Sequence, residues 1–139
     1  MPTKQVNIGI YAGPLQDAFV SMSSIITSGV TPARDVTDNG LPLEMELVVR
    51  LDPEPGFAAS TVTVVIEGTD VGGPKPTFVP IEGTSFSFGA AGGERRATVS
   101  GAALRKHLRA RWRADRALGM QRRDLLTVTG VAVVETIGG

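Results

Sequence analysis

Residues 43–51 read Leu-Glu-Met-Glu-Leu-Val-Val-Arg-Leu, with Leu43, Met45, Leu47, Val49 and Leu51 on one side and Glu44, Glu46 and Arg50 on the other. A period of two predicts a half-buried β-strand. Asn39-Gly40 and Pro42 before it, and Asp52-Pro53-Glu54-Pro55-Gly56 after it, supply turn chemistry at both ends. Residues 60–67 set Val62, Val64 and Ile66 against Thr61, Thr63 and Glu67, and side chains branched at Cβ favour a pleated strand. Beyond the breaker cluster Gly72-Gly73-Pro74-Lys75-Pro76, residues 77–81 and 85–88 are expected as two short strands, the second alternating Phe86 and Phe88 with serines. Residues 96–100 are a further short candidate, and residues 125–135 a long one in which Gly130 marks a candidate bulge.

The segment 102–118, rich in Ala, Leu and Arg, has high intrinsic helix propensity. As a helix it aligns Leu104, Leu108 and Trp112, but Arg111 and Asp115 share that side and the apolar stripe is thin. As a strand it places Leu108, Ala110, Trp112 and Ala114 on one face and Arg109, Arg111 and Arg113 on the other without exception. The alternation therefore predicts a strand, with one helical turn near residues 102–106 leading into it. Short strands between turns imply an all-β sandwich or barrel.

Composition narrows the chemistry. A chain of 139 residues is the size of one domain, and 42% apolar with 20% charged residues is globular. Cysteine is absent and His107 is the only histidine, which removes disulfides, thiolate catalysis and the usual zinc centres. No stretch approaches about 20 uninterrupted apolar residues, so no spanning helix is expected, and residues 1–29 lack the apolar run of a signal peptide. Net charge is zero but uneven: residues 1–93 hold 4 basic and 10 acidic side chains, residues 94–124 hold 10 basic and 3 acidic.

No glycine-rich phosphate loop is present, and His107 lies near no Gly-x-Ser-x-Gly elbow, so it reads as a surface or interface residue at the entrance of a strand. Glu44 and Glu46 share a strand face, as glycosidase acids can, yet any solvated strand face looks the same. No catalytic residue, metal ligand or cofactor is assigned, and the chain is read as non-enzymatic. Arg105, Lys106, Arg109, Arg111, Arg113 and Arg116 could neutralise phosphates, but with zero net charge and few aromatic platforms nucleic acid is the lesser reading. The favoured reading is an interface formed by Arg109, Arg111 and Arg113 with Glu44 and Glu46, through cross-strand or intersubunit ion pairs.

Four blocks carry a resemblance. They are residues 38–49 (DNGLPLEMELVV), 61–70 (TVTVVIEGTD), 104–112 (LRKHLRARW) and 126–135 (LTVTGVAVVE). In order and spacing, over about residues 35–135, the chain resembles the jelly-roll cement, or decoration, proteins of tailed-bacteriophage capsids. The resemblance implies a jelly-roll antiparallel β-sandwich over residues 35–139. It also implies a homotrimeric structural protein of the virion, made in the host cytoplasm and seated on the outer capsid surface, where it bridges copies of the major capsid protein. Residues 1–34 are then either an extended N-terminal arm or an extra edge strand. A carbohydrate-binding sandwich module is the alternative.

Overall fold

The computed structural model describes residues 2–15, 25–53, 61–70, 77–89, 91–119 and 124–136. Nine strands follow one another: β1 (Thr3–Pro14), β2 (Ile25–Val30), β3 (Arg34–Asp35), β4 (Glu44–Asp52), β5 (Val62–Thr69), β6 (Val79–Phe88), β7 (Gly93–Ser100), β8 (His107–Gly119) and β9 (Leu125–Glu135). Among the described residues there is no helix, and so none that could cross a membrane.

The strands form two antiparallel sheets. The first has the order β1-β9-β4-β7 and the second β2-β8-β5-β6, with β3 continuing beside β8. Pro32, which has no N–H to give a ladder, separates β2 from β3. Thr31 bridges the break: its N–H donates to the Ala110 carbonyl and its Oγ1 accepts from the Ala110 N–H, both at 2.9 Å. With β2 and β3 taken as one interrupted strand, the pairings nest. The first strand lies on the last, the second on the last but one, β4 on β7, and β5 on β6. That is one long hairpin rolled up on itself, and the β4–β9 and β5–β8 ladders close it into a jelly-roll β-sandwich.

Alternation decides which side chains enter the core. Met45, Leu47, Val49 and Leu51 of β4 meet Val62, Val64 and Ile66 of β5, Phe86 and Phe88 of β6, and Leu108, Ala110 and Trp112 of β8 in one cluster. Burying each large side chain contributes about 1.5–3 kcal/mol, against at most about 1 kcal/mol for an exposed ion pair, so this cluster sets the fold. The segment 102–118 resolves as extended chain from His107 onward, and the turn before it is closed by Ala103 and Leu104 N–H donating to the Ser100 carbonyl at 3.0 and 3.2 Å.

Residues 3–14 and 25–30 are outer strands of the two sheets, β1 pairing with β9 from Thr3 to Pro14; residues 16–24 lie outside the described residues. Two expectations change. Residues 79–88 are one strand and not two. Residues 81–84 bulge opposite Ile66, Gly83 adopts φ +82°, and the buried Thr84 Oγ1 ties the bulge by donating to the Ile81 carbonyl at 2.6 Å. Gly130 marks no bulge and faces Ile8 in regular register; the irregularity lies in β1 between Gly9 and Tyr11, opposite Thr129 and Val128. Gly130 instead makes room for Met45, since a Cβ there would stand 2.5 Å from the Met45 sulfur. The turn clusters at 54–60 and 71–76 lie outside the described residues.

Gly130→Ala is therefore expected to destabilise the protein by about 1–3 kcal/mol through overpacking, and Met45→Val in the same chain to recover part of the loss. Urea unfolding followed by the fluorescence of Trp112, the single tryptophan, measures both.

Candidate interaction faces

Each sheet turns one face to the core and one outward, so the sandwich presents two broad outer faces of different character. On the second sheet, register puts Glu67 of β5 opposite Arg109 of β8, Val65 opposite Arg111, and Thr63 opposite Arg113. The Glu67 carboxylate accepts from Arg109 Nε through one oxygen and from Arg111 Nε through the other, each at 3.0 Å. Glu67 is nearly covered, its side chain 6% exposed against 21% for Arg109 and 54% for Arg111. The Arg109 guanidinium also stacks on Phe78, 3.8 Å from the ring centroid. One acid thus holds two guanidinium groups in place on a rigid sheet, and an aromatic ring covers one of them.

Arg113 continues the row and is exposed. It lies between Ser28 of β2 and Thr63 of β5, and no side-chain bond or ion pair holds it among the described residues. Asp115 ends the row opposite Thr61, so the charges of Arg109, Arg111, Arg113, Glu67 and Asp115 sum to +1.

The outer face of the first sheet is acidic. Its β4 row is Glu44, Glu46, Val48, Arg50 and Asp52, flanked by Thr98, Arg96 and Glu94 on β7 and by Val133, Val131 and Thr129 on β9. Arg96 bridges Glu46 at 3.2 Å and Glu94 at 3.1 Å, and Arg50 pairs with Asp52 at 3.1 Å. The hydrogen bonds that Arg96 donates to Glu94, helped by the Glu94 and Glu46 charges, raise the Arg96 pKa above its already high value, so this group is always a cation. All these pairs are well exposed and screened by salt, and contribute little to stability.

The expected pairing of Arg109, Arg111 and Arg113 with Glu44 and Glu46 does not occur within the chain. β4 belongs to one sheet and β8 to the other, and both strands turn their charges away from the shared core, so the two sets stand on opposite outer surfaces. Glu67 is the acid that the arginines find. The alternation of residues 61–67 had placed it on the solvent side, but only register could set it between two arginines. Nothing in the sequence marked Phe78.

At one end of the sandwich, the β3–β4, β5–β6 and β7–β8 connections border an open cleft of about 680 Å³ lined by Leu41, Pro42, Leu43, Asp70, Arg105 and Lys106 among others. Leu41 is 80% exposed. His107, half-buried, pairs with Asp35 and Thr69 beside this end. Asp35 Oδ1 accepts from the Thr37 hydroxyl at 2.6 Å and from the Thr37 N–H at 2.8 Å. These bonds, the hydroxyl's foremost, hold the Asp35 carboxyl below its ordinary value of 3.8, with Lys106 and His107 adding to the effect. Among the described residues no group of three or more His, Cys, Asp or Glu side chains could hold a metal ion.

The fold and faces define the class: a jelly-roll β-sandwich with arginines on the outer side of one sheet and glutamates on the outer side of the other. No protein-family model matches the chain, and no curated protein matches it.

Two predictions follow from this geometry. Glu67→Ala strands two guanidinium groups, one of them largely covered; the expected cost is about 1–3 kcal/mol in urea unfolding, less than for a fully buried pair because Arg111 keeps its water. Asp35 has a lower pKa folded than unfolded, so it favours the folded state above the ordinary carboxylate value and loses that contribution as pH falls through the folded-state pKa. Thr37→Val should bring the Asp35 titration, followed by carboxyl NMR, back up towards 3.8 and remove that acid resistance; a midpoint unmoved by the substitution would assign the shift to another cause.

Proposed function

We propose that the protein is a non-enzymatic structural protein of a virion: a capsid cement protein that sits on the outer surface of a tailed-phage shell, bridges copies of the major capsid protein and works as a homotrimer without a cofactor. The observation that carries this reading is the nested jelly-roll topology combined with outer sheet faces that carry ordered charges. A broad sheet face with ordered guanidinium groups suits a protein surface better than a small substrate. Arg111 and Arg113 offer the forked donors that carboxylates on a shell protein accept, and Glu44 and Glu46 offer the opposite sign on the other face.

The stabilising action is mass action. A protein that binds the closed shell and not its separated subunits raises the free energy of opening, and three tethered copies turn modest contacts into a lasting one. Carbohydrate binding is less well supported. Of the described aromatic side chains, Phe86, Phe88 and Trp112 are buried, Phe78 lies under Arg109, and Tyr11 is partly buried against the core with its hydroxyl on the Pro14 carbonyl, which leaves little ring surface to stack on a sugar.

The test is co-sedimentation of the purified protein with shells of its own phage, together with the temperature at which those shells rupture. Saturable, stoichiometric binding and a higher rupture temperature are expected, and Arg113→Glu should weaken binding about tenfold at low salt and less at high salt. A chain that stays monomeric at high concentration and leaves shells unbound overturns the reading.

A further inference from the structure

A sandwich has four open sheet edges, and three of them here carry features that discourage another strand from joining. β7 is lined by Glu94, Arg95 and Arg96, and Arg95 turns inward so that its guanidinium lies 5.2 Å from the centre of the Phe88 ring. β6 contains Pro80 and the bulge at residues 81–84. The β2–β3 edge is six residues, a break at Pro32, and two more. Charges, proline, bulges and shortness are the usual means by which proteins blunt an edge.

β1 is different. It is twelve residues long, carries no charge from Gln5 to Pro14, and keeps regular register until the irregularity after Gly9. Its hydrogen-bond phase can be read from its start, where Thr136 N–H donates to the Pro2 carbonyl at 3.0 Å. In an antiparallel ladder the paired residues alternate, so Lys4, Val6 and Ile8 direct their backbone groups to β9 while Thr3, Gln5, Asn7 and Gly9 direct theirs away. Arg34 Nη1, at the neighbouring edge of the other sheet, donates to the Gly9 carbonyl at 3.2 Å, in agreement with that phase. Thr3, Gln5 and Asn7 are exposed, and no described residue bonds their outward N–H and C=O groups.

Those outward groups are self-complementary. Turned about a two-fold axis through Gln5, a second β1 sets Thr3 against Asn7, Gln5 against Gln5 and Asn7 against Thr3, and every facing residue is one whose backbone points outward. Lys4 then faces Val6 of the other copy, so the arrangement forces no like-charge contact between lysines. We propose that the free edge of β1 is a self-association site at which the β1 strands of two copies pair antiparallel about Gln5, joining their first sheets into one continuous sheet. The contact is isologous and closes on itself. It goes beyond the cement reading and does not depend on it, and it leaves both outer faces and the other edges free for a three-fold or shell contact.

Gln5→Pro is the central test. The Gln5 N–H points away from β9, so proline there removes a bond to the second copy and none of the β1–β9 ladder. In sedimentation equilibrium of the full chain, Gln5→Pro is expected to halve the subunit number of the wild type while its unfolding midpoint stays close to the wild-type value. Gln5→Lys, which sets like charges face to face, should weaken association about fivefold, and mixing it with Gln5→Glu should restore it. Hydrogen exchange reads the same contact residue by residue: in the wild type the Thr3, Gln5 and Asn7 amides should be protected along with those of Lys4, Val6 and Ile8, and in Gln5→Pro the Thr3 and Asn7 amides should exchange fast while the second set stays protected. A wild type that is monomeric at the highest concentration, a subunit number that Gln5→Pro leaves unchanged, or fast exchange at Thr3, Gln5 and Asn7 in the wild type overturns the proposal. Shell binding is read separately, so a failure there and a failure here are distinguishable.

Discussion

The register of β8 against β5 is the constraint on which the rest of the molecule depends. A slip of one residue would turn Leu108, Ala110, Trp112 and Ala114 to water and drive Arg109, Arg111 and Arg113 into the core. Each displaced apolar side chain forfeits about 1.5–3 kcal/mol, and burying an unpaired guanidinium costs several more. No competing register approaches the native one. The same constraint brings Glu67 between Arg109 and Arg111, so the ordered arginine face is a consequence of how the core packs.

Nested pairing explains why the two ends of the chain contribute so much. The first strand lies on the last and the second on the last but one, so the N-terminal segment is as much a part of the sandwich as its centre. The two open sides are each closed by an arginine that reaches across them: Arg95 over Phe88 on one side, Arg34 to the Gly9 carbonyl on the other. A guanidinium suits that position because its stem packs on apolar neighbours while its head remains hydrated. Such closures also discourage unwanted strand pairing; on β1 the closure reaches only Gly9, and no described residue bonds the outward backbone of Thr3, Gln5 and Asn7.

Rigidity links the fold to the proposed role. A protein that reinforces a shell must present contacts that do not give when the shell is strained, and side chains anchored on a closed sandwich move less than side chains on loops. Arg109 is held by Glu67 and Phe78, and Arg111 by Glu67, before any partner arrives, so less ordering entropy opposes binding. An arginine row on one side of the slab and a glutamate row on the other cannot both meet the same flat partner, and this asymmetry gives the molecule a direction on any surface it covers.

Much of this architecture was legible along the chain. Strict alternation identified β4, β5, β8 and β9 and sorted their inward from their outward residues, and in residues 107–114 it outweighed strong helix propensity because a thin helical stripe cannot bury Trp112 as a sheet does. Alternation failed in β1, an edge strand with an irregularity and few large side chains, and in β6, where Glu82-Gly83 looks like a turn but is a bulge tied by Thr84. Period two tells which side a residue takes and is silent on which sheet its strand joins. The sequence alone therefore determined an all-β chain with arginines on one strand's outer side and glutamates on another's. Only the tertiary structure decided that those two sides face away from each other and that Glu67 is the acid between the arginines, because ion pairing depends on register across chain separations of more than forty residues, which no local pattern encodes.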